Sequence, residues 1–253
     1  MAPPDNRQIL ARSIIAVADA AALAGAAAAR VLARIDANAG RVAICLTGGS
    51  SPKRLYERLG ADPYQSRIPW DRVHWFIGDD RFVPPGDPRN NMAMARQIFL
   101  DRLAPAENIH PINTEAVSPD VAAQDYETLL KSFYGADRLD PAKPLFDMVL
   151  MGVGPDGHTA SLFPGYPASL ETERWVVGVP QANVEPLVPR VTLTFPALGS
   201  CREMLFEISG PDKRAILTRV LAGDDLPAGR AHSVGETIWL ADRAALPENF
   251  GDR

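Results

Sequence analysis

Short runs of continuous apolar residues alternate along the chain with longer amphipathic stretches, the pattern of strands and helices in βαβ order. Residues 13–37 read as an alanine-rich opening helix. Arg41–Leu46 is apolar after its first residue, as a parallel strand buried on both faces should be. A helix is expected over Lys53–Leu59, with Pro52 suited to its first position. Val73–Ile77 is the next strand, followed by a loop rich in proline and glycine and a helix from about Asn91 to Leu103. Residues 119–134 form a further helix and Asp147–Met151 a third strand. Strands are expected near 175–179, 190–194, 203–208 and 237–240, with a helix over 212–222. The succession predicts an α/β fold, an open, mostly parallel twisted sheet flanked by helices on both faces. No internal repeat or long linker interrupts it, so residues 1–253 are expected to form a single domain.

Composition narrows the function classes. With 46% hydrophobic and 23% charged residues the chain reads as an ordinary globular protein, and its net charge of -5 supplies no global field for nucleic acid or anionic lipid. An anionic substrate would have to meet local positive charge. Met1–Leu10 contains Pro3, Pro4, Asp5 and Arg7 and shows no apolar signal core. Ala16–Ala29 is interrupted by Asp19 and is too weakly apolar to span a bilayer, so a cytoplasmic location without a membrane partner is expected. Cys45 and Cys201 sit in apolar runs, as reduced, packed thiols do, and no zinc-type Cys/His spacing occurs. No metal or cofactor is expected. A monomer or weak homo-oligomer is anticipated.

Three polar loops follow predicted strands, and in open α/β sheets the ligand crevice lies beyond the strands' carboxyl ends. Thr47-Gly48-Gly49-Ser50-Ser51-Pro52 joins a strand to a helix; its glycines allow close backbone approach, and the helix start offers free N–H groups to an anion. A plain turn explains it equally well. Asp79-Asp80-Arg81 places a guanidinium where it could grip phosphate or pair with its own acidic neighbours. Asn90 and Asn91 suit a helix cap. Gly152-Val153-Gly154-Pro155-Asp156-Gly157 matches G-x-G-x-x-G, but its mid-chain position, Pro155 and the lack of a partner acid at a strand end exclude a dinucleotide site. His158 follows, at the expected start of a helix over 158–163, where the dipole would keep the ring neutral as a base and Asp156 could orient it. Arg190 opens a strand, and Lys213 stands near a helix start, against the dipole preference.

These residues resemble the 6-phosphogluconolactonase family. The resemblance runs through Leu46–Ser50, Trp75–Pro84, Asn90-Asn91, Asp147–Gly165, Arg190–Thr194 and Lys213, in order over nearly the whole chain. It implies a sheet related to the glucosamine-6-phosphate isomerase/deaminases, with His158 as general base. Thr47, Gly48, Gly49, Ser50, Arg81 and Lys213 would bind the phosphate of a phosphosugar lactone, with Asp79 beside them, and Arg190 would line the site. The family usually reads Asp-Glu-Arg where this chain has Asp79-Asp80-Arg81, which leaves the role of Asp80 open. The isomerase/deaminase branch continues from its histidine into Ala-Phe-Asn-Glu-Pro, whereas this chain reads Ala160-Ser161-Leu162-Phe163-Pro164. A serine esterase would need G-x-S-x-G, which Gly48-Gly49-Ser50-Ser51-Pro52 lacks. A non-catalytic sugar-phosphate sensor remains the alternative of another class.

Overall fold

The computed structural model describes residues 14–248 and 250. Six parallel strands form the central sheet: β1 (Ile14–Val17), β2 (Val42–Leu46), β3 (Val73–Ile77), β5 (Phe146–Met151), β8 (Cys201–Ile208) and β9 (Glu236–Asp242). Their order is β1-β9-β8-β5-β2-β3. A smaller antiparallel sheet carries β4 (Asp79–Arg81), β7 (Arg190–Leu193) and β6 (Val176–Val179) in that order. The principal helices are α1 (Ala20–Asp36), α2 (Ser50–Leu59), α3 (opening at Asn91–Ala95), α4 (Pro119–Tyr134) and α5 (Arg214–Ala222). α3 continues through one π-turn, Arg96–Leu100, into Asp101–Leu103.

The opening helix is shorter than expected. Ile14–Val17 pairs in parallel with β9, and the helix starts at Ala20, where the Asp19 side chain accepts from the N–H groups of Ala21 and Ala22. The β-branched run Ile14-Ile15 suits an edge strand, and Asp19 is the cap that separates it from the helix. α1 then buries Leu23, Ala24, Ala27, Ala28, Val31, Leu32 and Ile35, one stripe at helical spacing whose alanines let it lie close to the sheet.

β7 also departs from expectation, since it pairs antiparallel with β4 and β6 rather than joining the parallel sheet. Gly78 is the crossing point: its N–H donates to Leu46 O at 2.9 Å, and its carbonyl accepts from Leu193 N at 2.8 Å. The chain thus leaves the main sheet at the carboxyl end of β3 and folds a second sheet over that edge. From β2 the order proceeds to β3 on one side, while from β5 it proceeds through β8 and β9 on the other. The gap between the ends of β2 and β5 is therefore the topological switch point, where such sheets open a crevice. Cys45 and Cys201 are buried free thiols, pushed up in pKa chiefly by burial.

Candidate active site

A cleft of about 240 Å³ opens at that switch point, walled by the loops after β2 and β5, by β4 and β7, and by the turn before α5. It brings together Thr47, Gly48, Gly49, Ser50, Asp79, Arg81, His158, Arg190 and Lys213. Asp156 stands behind His158 as its hydrogen-bond partner. Every residue singled out from the sequence for this site converges here.

The loop after β2 is fixed from beneath. The Tyr56 hydroxyl accepts from Thr47 N at 3.0 Å and donates to Thr47 O at 2.6 Å. Gly49 has φ 114°, a conformation open to glycine, and it precedes α2 without a side-chain cap. The first N–H groups of α2 are thus left for an incoming acceptor, with the positive end of the helix dipole behind them. Gly48 is required for packing: a Cβ there would lie 2.0 Å from Asn91 Oδ1.

Asp80, which the sequence leaves without a role, anchors the opposite wall. Its carboxylate accepts from the N–H groups of Arg81 (2.7 Å), Asn91 (2.7 Å) and Met92 (3.1 Å), tying the start of α3 to β4. Burial raises its pKa to about 7, against those hydrogen bonds, which pull it down. Asn90 caps the helix through Ala93 N, whereas Asn91 donates from Nδ2 to Asp79 O and faces the cleft. Asp79 accepts from the Ser161 hydroxyl at 2.6 Å, a contact that the sequence does not announce.

Three cations line the cleft. Arg81 and Arg190 are direct cross-strand partners on β4 and β7, a like-charge pairing that destabilises a sheet unless an anion joins it. Arg81 donates to Arg89 O at 2.8 Å, and its buried Nε has no partner. Arg190 is 3% exposed and donates to Pro186 O and Val188 O; burial lowers its pKa, and the Arg81 charge adds to that. Lys213 donates to Val153 O at 2.9 Å. Among the described residues none of the three makes an ion pair, so the pairing of Arg81 with its acidic neighbours does not occur.

The expected helix over 158–163 is absent. The chain instead turns tightly, with Ala160 at φ 48° and a single bridge between Thr159 and Leu162. Its polar groups are committed elsewhere: His158 O accepts from Gly154 N, Thr159 Oγ1 donates to Gly152 O, and Ser161 N donates to Thr192 Oγ1. Pro164 further disfavours a helical Phe163. A helix dipole therefore does not act on the imidazole. Asp156 does: its Oδ1 lies 2.5 Å from His158 Nδ1 and also accepts from His158 N at 3.1 Å. Burial alone would raise the Asp156 carboxyl, but the hydrogen bond and charge of His158 outweigh it and hold the pKa below its ordinary value. With Nδ1 engaged, Nε2 is the nitrogen free to act.

The G-x-G-x-x-G match acquires a different meaning here. A Cβ on Gly154 would lie 2.0 Å from His158 Cε1, and Gly157, at φ 88°, would strike Leu226 at 2.8 Å. These glycines make room for an imidazole and a tight turn, not for a pyrophosphate. Glu207 was hidden among the apolar residues of β8 and also lines the cleft. Its one sequence signal is a charge inside Met204–Ile208.

Residues 18–239 match the family of glucosamine-6-phosphate isomerases/6-phosphogluconolactonase. The chain is 41% identical over 216 residues to a 6-phosphogluconolactonase of Nostoc sp., covering 83% of this chain and 85% of the relative. It is 38% identical over 240 residues to a 6-phosphogluconolactonase of Mycobacterium tuberculosis, covering 92% and 93%. A crystal structure of 6-phosphogluconolactonase from Leishmania guyanensis superposes with a TM-score of 0.80 at 31% identity, covering 92% of this chain and 97% of that one. Sequence, fold and cleft agree that the chain belongs to the glucosamine-6-phosphate isomerase/6-phosphogluconolactonase family.

Proposed function

We propose that the protein hydrolyses 6-phospho-D-glucono-1,5-lactone to 6-phospho-D-gluconate, the lactone-opening step of the oxidative pentose phosphate pathway. The observation that carries this reading is the Asp156–His158 pair placed in one cleft with Arg81, Arg190 and Lys213. The phosphate docks against the Thr47–Ser50 loop and the first N–H groups of α2, with Arg81 and Lys213 as counter-charges. Binding at that remote end orients the ring carbonyl toward His158.

His158 Nε2 removes a proton from a water whose oxygen bonds to C1, and the carbonyl becomes an oxyanion steadied by Arg190 or backbone N–H groups. The Asp156 carboxylate holds the tautomer with Nδ1 protonated and stabilises the imidazolium that forms. Collapse of the intermediate breaks the bond from C1 to the ring oxygen, which takes the proton back from Nε2 as it becomes the C5 hydroxyl. Asp79, held by Ser161, is a carboxylate beside the sugar and suits a hydroxyl donor rather than the phosphate. Phe163 is buried and packs 4.8 Å from the His158 ring, at the position where the isomerase/deaminase branch carries an acid, so the carboxyl that branch's motif supplies there is missing.

No helix among the described residues is long and apolar enough to cross a membrane. The deciding assay couples 6-phosphogluconate formation to its oxidation, on freshly made lactone with chelator present and spontaneous opening subtracted. Turnover by the wild-type chain is expected; a rate equal to the uncatalysed background overturns the proposal.

A further inference from the structure

Among the titratable residues that line the cleft, Glu207 is the one that the proposed chemistry does not use. It is 3% exposed, and both its carboxyl oxygens are sealed from solvent without a hydrogen-bond partner. Along β8 it shares a face with Glu203 and Leu205. Glu203 on that face is held by Arg30 and Arg34 of α1, whereas Glu207, nearer the strand's carboxyl end, has no cation partner among the described residues. It shares the cleft wall with Ser50, Ser51 and Pro52 of the first turn of α2 and with Lys213. A buried polar group left unpaired is strongly disfavoured, so a carboxyl retained in this position needs a partner that arrives with the ligand.

We propose that Glu207 is a phosphate-binding residue that works as a neutral acid, its O–H donating to an oxygen of the phosphomonoester seated at the start of α2. This rests on the phosphosugar reading of the cleft. Rotation about the last side-chain bond, a soft torsion, lets either carboxyl oxygen present the O–H. As a carboxylate the same group would repel a phosphate dianion; as an acid it adds a donor to the N–H groups and Lys213.

The surroundings keep the proton on. Burial alone pushes the Glu207 pKa up to about 8. The titratable neighbours offer no relief: Tyr56 of α2 and Cys45 of β2 are themselves raised by burial. Asp242 at the end of β9 is engaged by Ser209 and Gly210, and Asp147 at the far end of β5 by Asn38 and Ala43. Lys213 donates to Val153 O and makes no hydrogen bond to Glu207.

The test is calorimetric titration of the whole protein with 6-phosphogluconate, the unreactive product, from about pH 7 to 9.5 in buffers of different ionisation enthalpy. The second phosphate pKa is about 6, so the ligand's phosphate is predominantly a dianion over this range, and its carboxylate stays ionised. The wild type should take up close to one proton per ligand at about pH 9, and its Kd should weaken roughly 30-fold between pH 7 and 9.5, as linkage to a group titrating near 8 requires. Glu207→Gln, which donates without titrating, should abolish the proton uptake and flatten the profile. Glu207→Leu should lose roughly 10- to 100-fold in affinity near pH 7, the worth of a hydrogen bond to a charged group. Absence of proton uptake in the wild type, or the same uptake in Glu207→Gln, overturns the inference while lactone turnover still stands. Failure of the wild type both to bind 6-phosphogluconate and to open the lactone overturns the inference and the function together.

Discussion

Gly154→Ala should nearly silence the enzyme while leaving every group that does chemistry covalently unchanged. A Cβ at this position falls 2.0 Å from Cε1 and 2.1 Å from Nδ1 of His158. Carbon atoms pack at about 3.5 Å or more, so the ring must retreat by about 1.5 Å or rotate away from its place. Rotation breaks the 2.5 Å contact with Asp156, and retreat moves Nε2 off the water it activates. A misplacement of about 1 Å can cost roughly 10²-fold in rate, and complete loss of a general base roughly 10²–10⁴-fold. Gly154→Ala is therefore expected to lower kcat by at least about 10²-fold, approaching His158→Ala. KM should change by less than about threefold, because the phosphate contacts are untouched. The coupled lactonase assay gives both constants, and circular dichroism checks that the fold survives. If Gly154→Ala retained kcat within about twofold of wild type, the placement of the imidazole against Gly154 would be irrelevant to turnover and the mechanism would be wrong.

Asp156→Asn keeps the shape but offers the wrong partner to Nδ1, and should lower kcat by roughly 10²–10⁴-fold in the same assay with little effect on KM. Arg81→Ala removes a phosphate counter-charge, so KM for the lactone should rise by roughly 10-fold or more while kcat falls less, as steady-state kinetics would show. Glu207→Leu should stabilise the ligand-free protein in a pH-dependent way. Because the folded pKa is raised to about 8, folding keeps a proton that the unfolded chain loses near pH 4.5. The wild type consequently loses stability as pH rises through that window, by roughly 1.4 kcal/mol per unit at most. The gap in Tm between variant and wild type should widen from pH 4.5 to 8; a gap independent of pH would contradict the assigned burial.

Much of this architecture was legible in the sequence because the signals were local. The apolar runs at Val42–Leu46 and Val73–Ile77 could hardly be anything but buried parallel strands, and the loops after them carried the chemistry. What failed depended on distant partners. Ile14–Val17 looked like the first turn of a helix because its strand partner, β9, lies at the other end of the chain. Arg190–Leu193 was expected as one more strand, but only its pairing with Asp79–Arg81 shows that it builds a second sheet and sets two guanidiniums side by side. The helix expected after His158 was displaced by hydrogen bonds that Thr159 donates to Gly152 O and that Thr192 accepts from Ser161 N, which no local periodicity records. Glu207 escaped notice for a similar reason: a carboxyl inside an apolar strand takes its meaning from what stands above it.

The proposed mechanism has Asp156 aim His158 Nε2 at the reacting carbon while the far end of the cleft holds the phosphate. A crystal structure with 6-phosphogluconate bound tests it most directly. The phosphate should lie at the start of α2, among Ser50, Lys213 and Arg81. The C1 carboxylate should approach His158 Nε2 at hydrogen-bond distance or through one water. A ligand bound the other way round, with its phosphate against the imidazole and C1 at the start of α2, would rule this mechanism out.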